Sequence, residues 1–574
     1  MAARDPSGLL RGVATLLLLA GLTLLLFPNL GAAPFERAEI YFMDGARSMV
    51  EGGDWLVPTY RGEPFFDKPA LTYWLMALSM LWLGPTPGAA RLVPALAALA
   101  VVLATLDLGR RLFDRRTALF GGSLLASTLA FVVFGRVAMS DMLLTLWSTL
   151  AVVLALHVLG PQPRAWAVPA LGAVLGLGFQ TKGPVALLLP AFAILLLLWA
   201  RRPDRRALAP AGVALGALLF AVLGFGWFAL VYHRLGPAPL EHFFFRENLQ
   251  RFAGDTYDSG RPPWFYAATY VAEGLPWSLF LPLALWRLRG EPGSRFLAAW
   301  VGLMLIPLSL SNGKIDYYLL PAYPALSLLV GRLFAAVPWG RLERAWSRVA
   351  LVLAAGGLGL LAFWPLPFPP EWLPIPAAQM LLRVVAGGLA LACLGIAVAT
   401  PRPMPVVVVL ATSAGLVFLL LTTFFLPAFA KGQPNRAIAA DVAREAFWRQ
   451  DARLLLCGDP SRAQRDILFH ARVAVEQRCD LWPLAASREP YLMLLGPEES
   501  ASFRTIPGYR EVSVHRYLPA TALTFDGLAE PPEPGEVTLA ANYATADPEA
   551  ERKRKKGYRQ MLKREQAEAA GGGP

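Results

Sequence analysis

The sequence predicts an α-helical polytopic membrane protein of about thirteen transmembrane helices, followed by a small C-terminal α/β domain outside the membrane. Three observations predict it. Of 574 residues, 56% are hydrophobic and only 16% charged, with a mean hydropathy of +0.46. A soluble fold could not hide that much apolar surface, because charged residues normally cover a globular exterior. Apolar runs recur from Leu9 to Leu426, each near the twenty or so residues that cross roughly 30 Å of hydrocarbon as a helix. Finally, clusters of arginine fall only in alternate connections between these runs.

The expected spans are 9–30, 87–108, 117–134, 142–160, 165–181, 184–200, 207–232, 263–285, 296–311, 317–335, 348–364, 380–399 and 404–426. The first is long and lacks a small-x-small cleavage site, so it reads as an uncleaved helix rather than a signal peptide. The arginine clusters are Arg110, Arg111, Arg115 and Arg116; Arg201, Arg202, Arg205 and Arg206; Arg287, Arg289 and Arg295; and Arg341, Arg344 and Arg348. The positive-inside rule puts them in the cytoplasm. The opposite connections, 31–86, 135–141, 181–184, 233–262, 312–316 and 365–379, then face outward and hold most acidic residues of the membrane region. The longest, 31–86, reads as surface-lying amphipathic helices over Glu39–Glu51 and Ala70–Leu83.

The chain divides into a membrane domain (1–430), a small extracytoplasmic α/β domain (431–525) and a disordered basic tail (526–574). In the second, Ala437–Gln450 reads as an amphipathic helix, and Ala452–Cys457, Arg472–Glu476 and Tyr491–Leu495 as strands. The tail is Pro/Glu-rich and carries Arg552-Lys-Arg-Lys-Lys556. The net charge of +12 points to membrane lipid rather than nucleic acid, for which no module signature is present. Of three cysteines, Cys393 lies in an apolar run; Cys457 and Cys479 are as consistent with free thiols as with a disulfide.

A lysine census marks the working face. Through residue 430 the chain uses arginine almost exclusively, and its three lysines there, Lys68, Lys182 and Lys314, all fall at outward span ends. A compact ammonium in an arginine-rich chain suits a phosphate. Chance placement at helix ends is the blander reading. Asp67-Lys68 lies between aromatics and a helix-starting proline in Pro64-Phe-Phe-Asp67-Lys68-Pro69-Ala-Leu-Thr-Tyr73-Trp74. Both charges are costly there unless used. Glu39 opens the first outer helix, and Asp141 opens a span from the outer side, where an ionisable group is a functional candidate.

These stretches together resemble the GT-C membrane glycosyltransferases of the aminoarabinose–lipid A transferase and protein O-mannosyltransferase superfamily. The matching elements are Gly53-Asp54-Trp55-Leu56-Val57-Pro58, Phe65-Phe66-Asp67-Lys68-Pro69, Ala90-Arg91-Leu92, Arg136 with Asp141, and Thr181-Lys182-Gly183-Pro184. They continue through Glu247-Asn248-Leu-Gln-Arg251-Phe252, Pro263-Trp264-Phe265-Tyr266, Leu275-Pro276-Trp277 and Ser311-Asn-Gly-Lys314-Ile-Asp-Tyr-Tyr318-Leu-Leu-Pro321. Their order over residues 36–332 is the family's order.

The resemblance implies a bacterial inner-membrane enzyme that moves a sugar from a polyprenyl-phosphate donor to a lipid A, envelope glycan or protein hydroxyl at the periplasmic face. Cations must hold the leaving phosphate and a carboxylate must take the acceptor's proton. Carried over by motif, Lys68, Lys182, Arg251 and Lys314 hold phosphate; Asp67 lies at the reacting centre and Asp141 supports it; Arg91, Arg136, Asn248, Trp264, Tyr266 and Tyr318 line the site. The family's first outer loop begins with Asp-Glu, but here Ala38 replaces the aspartate, which moves the base role to Glu39 or Asp44. Some relatives use a histidine as a metal ligand beside the Asp67-type acid. Here Asp255-Thr-Tyr257-Asp258 stands in that stretch, making Asp67 and Asp258 the candidate ligands of a divalent cation, with His242 reading as an interfacial residue. Two other classes stay open: a flippase for lipid-linked sugars, which would show charges at the midplane and repeated halves, and a non-catalytic assembly subunit, favoured by Ala38.

Overall fold

The computed structural model describes residues 6–32, 38–60, 62–160, 162–200, 209–250, 259–336, 338–363, 376–399 and 401–427. Beyond these it describes 438, 441–442 and the strands 453–456, 475–477, 491–495, 510–517 and 535–541. The chain forms two compact units, the first made of Met1–Ala33, Tyr41–Leu366 and Ile375–Pro427.

Helix occupies every expected span. In order, α1 is Pro6–Leu26, α2 Glu39–Gly52, α3 Leu71–Leu83, α4 Pro87–Leu112, α5 Arg115–Ala126, α6 Leu129–Phe134, α7 Asp141–Leu159, α8 Ala167–Lys182, α9 Val185–Ala200 and α10 Pro210–Leu235. Helices Phe265–Glu273, Leu281–Arg287, Pro292–Leu310, Tyr323–Ala336, Arg341–Phe363, Pro376–Val398 and Pro403–Leu420 complete the bundle. Among the described residues, eight helices are long and apolar enough to cross a membrane. α2 and α3 fall where two helices are expected in the long outer loop, but only α2 is amphipathic: α3 carries no charge and exposes Leu78, Leu81 and Trp82. A short hairpin joins them, in which β1 (Thr59–Tyr60) pairs with β2 (Glu63–Pro64).

Two expected spans are broken, for identifiable reasons. Between α5 and α6, the Ser127 hydroxyl donates to the Ser123 carbonyl (2.7 Å) and the Thr128 hydroxyl to Leu124 (2.8 Å); side chains that bond back to the preceding turn compete with helix continuation. Gly274-Leu-Pro276 interrupts the span that begins at Phe265, since proline lacks the amide a helix needs. Packing is closest where side chains are missing. A Cβ on Gly172 would meet the Gly216 carbonyl oxygen at 2.0 Å, so α8 and α10 touch backbone to backbone, as small residues allow in lipid.

The second unit, which includes Ala428–Pro574, contains a five-stranded sheet built from β3 (Arg453–Leu456), β4 (Val475–Gln477), β5 (Tyr491–Leu495), β6 (Arg510–Tyr517) and β7 (Gly535–Ala541), in the order β4-β3-β5-β7-β6. β3 runs parallel to β4 and β5, and β7 is antiparallel to β5 and β6. β7 lies in the stretch whose composition reads as disordered tail. Its alternation of Val537 and Leu539 with polar neighbours is too short to register against the surrounding Pro/Glu and basic runs. Cys457, Cys479 and most of Ala437–Gln450 lie outside the described residues.

Candidate active site

Four segments of the first unit converge on one cavity of about 760 Å³. Asp67-Lys68 precedes α3. Lys182 ends α8, and Gly183 follows with φ +68°, reversing the chain at a point where a Cβ would lie 2.5 Å from the Phe243 ring. Glu247 and Asn248 come from the π-helix His242–Gln250, and Ser311, Gly313 and Tyr318 from the turn after Leu310. Leu187, Leu188 and Leu189 of α9, with Pro307 and Leu308, form a long apolar wall. A polar end and an oily flank are the shape of a site for a lipid with a charged head.

The charges at the polar end are matched. Lys182 Nζ lies 2.5 Å from Asp141 Oδ1, with both side chains nearly buried, and 4.6 Å from the centroid of the Tyr318 ring, within cation–π range. Lys68 donates to its neighbour Asp67's carbonyl (2.8 Å) and lies 3.5 Å from Glu247 Oε2. His242 Nε2 is 2.8 Å from Asp67 Oδ1. Lys314 is buried, donates to the Ser311 carbonyl at 2.7 Å and so borders the cavity through two lining residues. Asp54 anchors the loop: burial pushes its carboxyl up, but Arg234 and the amides of Leu56 and Val57 outweigh this and hold it below the usual range.

The π winding matters for composition of the site. In an α-helix, residues five apart point about 140° away from each other; an i→i+5 helix brings them to one side. His242 and Glu247 both reach Asp67 in this way, and the ligand atoms of the three all lie within 4.8 Å of one another. Metal–ligand distances of about 2.0–2.2 Å keep ligand pairs within about 4.4 Å, so a few tenths of an ångström of contraction would close this trio on a divalent cation. Tyr73 of α3 is fully buried, and burial, with the Asp67 and Glu247 carboxylates, pushes its phenol well above the usual range. Its hydroxyl has no hydrogen-bond partner among the described residues, a condition that costs about 1–3 kcal/mol.

Thus Asp67, Lys68, Lys182, Asn248 and Tyr318 line the cavity, and Asp141 joins through Lys182. Tyr266 is buried beside Lys314, accepting from the Ile315 amide at 3.4 Å. Three expected lining residues are elsewhere. Arg136 donates to the carbonyls of Leu25 and Leu26 (both 2.8 Å) and Pro28 (2.6 Å), and Arg91 to Leu30 (2.8 Å). Both guanidiniums satisfy orphan carbonyls where α1 ends, a structural use of charge that a motif cannot distinguish from phosphate binding. Trp264 is 67% exposed, at the start of the helix Phe265–Glu273. Glu39 and Asp44 are buried in α2, and Asp44 pairs with Arg47; neither is among the cavity-lining residues. Arg251 and Asp258 lie outside the described residues. Among the described residues, His242 and Glu247 are the groups that lie with Asp67, beyond the interfacial role the sequence suggests for His242.

Known proteins resemble this chain in sequence and in fold. Residues 67–227 match the family described as dolichyl-phosphate-mannose-protein mannosyltransferase. The undecaprenyl phosphate-alpha-4-amino-4-deoxy-L-arabinose arabinosyl transferase of Pseudomonas paraeruginosa is 36% identical over 333 residues, 55% of this chain and 57% of that protein. That of Pectobacterium carotovorum is 31% identical over 379 residues, 62% and 66% of the two chains. The chain spans less than two thirds of the length of these curated relatives. In fold, ArnT from Cupriavidus metallidurans bound to undecaprenyl phosphate superposes with a TM-score of 0.73 at 19% identity, covering 95% of this chain and 99% of ArnT. The chain is similar in sequence to these arabinosyl transferases and in fold to ArnT. The apo form of the same ArnT gives a TM-score of 0.70.

Proposed function

We propose that the protein is a lipid-carrier-dependent glycosyltransferase, which moves a sugar from a polyprenyl-phosphate donor to a hydroxyl-bearing acceptor at the periplasmic face of a bacterial inner membrane. The observation that carries this reading is the cavity that joins Asp67, Lys68 and Lys182 to the Leu187–Leu189 wall. The wall accepts the first isoprene units of the carrier. Lys68, Lys182 and Lys314 draw its phosphate to the polar end, and Arg251 is assigned to the same task.

In the reaction the acceptor oxygen forms a bond to the anomeric carbon as the bond from that carbon to the phosphate oxygen breaks. The electron pair leaves with the phosphate, where the lysines neutralise it. The acceptor's proton goes to a carboxylate on α2, for which Glu39 is proposed and Asp44 is the alternative. Asp67, His242 and Glu247 would hold a divalent cation, which would supply further positive charge beside the leaving group. Lipid A, another envelope glycan and a protein hydroxyl remain candidate acceptors. The relatives' aminoarabinosyl activity favours the first and an amino sugar as the donor's cargo.

The test is transfer from radiolabelled undecaprenyl-phosphate sugars by the purified full chain. Asp67→Asn and Lys68→Met should each lower transfer at least a hundredfold while the protein remains folded. Wild-type rates in both variants would remove this cavity as the reaction site. A flippase is favoured by no observation: its charges would sit at mid-membrane, whereas these gather at one end.

A further inference from the structure

The helix Pro292–Leu310 leads into the reaction cavity, which Ser311 lines at its end. Its 19 residues put its start roughly 28 Å away, at about 1.5 Å per residue. At that start lies a second, smaller cavity of about 200 Å³, lined by Arg289, Ser294 and Arg295 and by Leu285, Leu288 and Leu329. The acids around it are already engaged. Glu343 Oε1 pairs with Arg287 at 2.5 Å. Glu291 Oε1 accepts from two nitrogens of Arg332 (2.9 and 2.6 Å), and its Oε2 accepts from the Ser294 hydroxyl (2.8 Å). Asp114 takes the third nitrogen of Arg332 at 2.5 Å. Arg289 and Arg295 are exposed at the cavity and have no acid partner among the described residues. Trp286, half exposed, lies 6.0 Å from the Arg289 guanidinium, as an indole does at the edge of the hydrocarbon.

We propose that this cavity binds the phosphodiester of an anionic glycerophospholipid from the leaflet opposite the reaction cavity, gripped between Arg289 and Arg295. Guanidinium forks match phosphate oxygens in geometry and charge, and basic pockets between helices on the arginine-rich side select such headgroups. Leu285, Leu288 and Leu329 then cover the first carbons of the lipid. Free phosphate would satisfy the arginines but leave this apolar wall uncovered. A zwitterionic head would press its own ammonium against two uncompensated positive charges, whereas a glycerol head carries none. The bound lipid would tie Leu281–Arg287 to the start of Pro292–Leu310 across the turn at residues 288–291. This site stands apart from the sugar-transfer reading and does not depend on it.

The test is native mass spectrometry of the full chain in detergent, titrated with phosphatidylglycerol or phosphatidylethanolamine of identical acyl chains. Wild type should hold phosphatidylglycerol the more tightly. Arg289→Gln with Arg295→Gln should weaken that binding by about thirtyfold, at roughly fivefold for each basic residue near a headgroup. Its thermal midpoint in lipid-free detergent should not move, because neither guanidinium is in an ion pair. Arg115→Gln with Arg116→Gln, on the neighbouring loop but outside the cavity, should weaken binding by less than about twofold. Equal losses in the two double variants would reduce the effect to general surface charge and overturn the site. Equal affinity for the two lipids would overturn its preference for an anionic head. Complete displacement of the lipid by millimolar inorganic phosphate would make a free anion the occupant and overturn the lipid assignment.

Discussion

Lys182 and Asp141, forty-one residues apart, meet at 2.5 Å where α8 ends and α7 begins. The pair is buried, with side-chain exposures of 10% and 5%. Removing one member of a buried pair leaves an uncompensated charge and costs about 3–5 kcal/mol, whereas replacing both can be neutral. Lys182→Ala should therefore lower the thermal midpoint and abolish transfer. The double variant Asp141→Asn with Lys182→Met should recover the midpoint and not the activity. Recovery of both would reduce the pair to a structural clamp.

Tyr318 lies beneath the same ammonium. A cation–π contact is worth about 0.5–2 kcal/mol, so Tyr318→Leu should weaken donor binding by about two- to thirtyfold, with Tyr318→Phe much closer to wild type. Michaelis constants for the polyprenyl donor decide it: equal losses in the two variants would assign the effect to the phenol hydroxyl.

Gly183 turns the chain directly after Lys182. At φ +68° any other residue is strained, and its Cβ would press on Phe243 at 2.5 Å. Gly183→Ala should cost at least about 1 kcal/mol in stability and reduce transfer severalfold by moving Lys182. Adding Phe243→Ala should relieve the clash but not the backbone strain, so only partial rescue of the thermal midpoint is expected.

Glu39→Gln should remove transfer at unchanged donor affinity if Glu39 takes the acceptor's proton, because a base acts on turnover rather than on phosphate binding. Asp44→Asn, which releases Arg47 from its pair, should chiefly lower stability. The reverse pattern would transfer the base role to Asp44. Measured turnover against donor dissociation constant separates the two.

The helical spans are legible because hydropathy acts over twenty-residue windows, longer than any local exception. Lys68 and Lys182 stood out against an arginine background, and the structure brings both to one cavity. Arg91 and Arg136 are not legible in this way, because an arginine near a motif acid has two uses, and here the two hold the carbonyls at the end of α1. His242 and Glu247 were missed for a different reason. The spacing i, i+5 has no meaning on a 3.6-residue helix, and nothing in His-Phe-Phe-Phe-Arg-Glu announces the wider turn. Three consecutive phenylalanines between two polar residues are its nearest sequence sign. The breaks at Ser127-Thr128 and Gly274-Leu-Pro276 were readable in principle, since each contains residues that oppose helix continuation.

The nine-residue π segment carries a thermodynamic corollary. Its winding is the less favoured one for a polypeptide, so its free-energy gap to ordinary helix is narrow and any ion that needs both His242 and Glu247 must widen that gap. Ion occupancy and helical winding are then linked variables of a single equilibrium. Amide protons of residues 242–250 should exchange more slowly in saturating Zn²⁺ or Mn²⁺, and deleting one of the three phenylalanines should return the segment to α winding and lower ion affinity together.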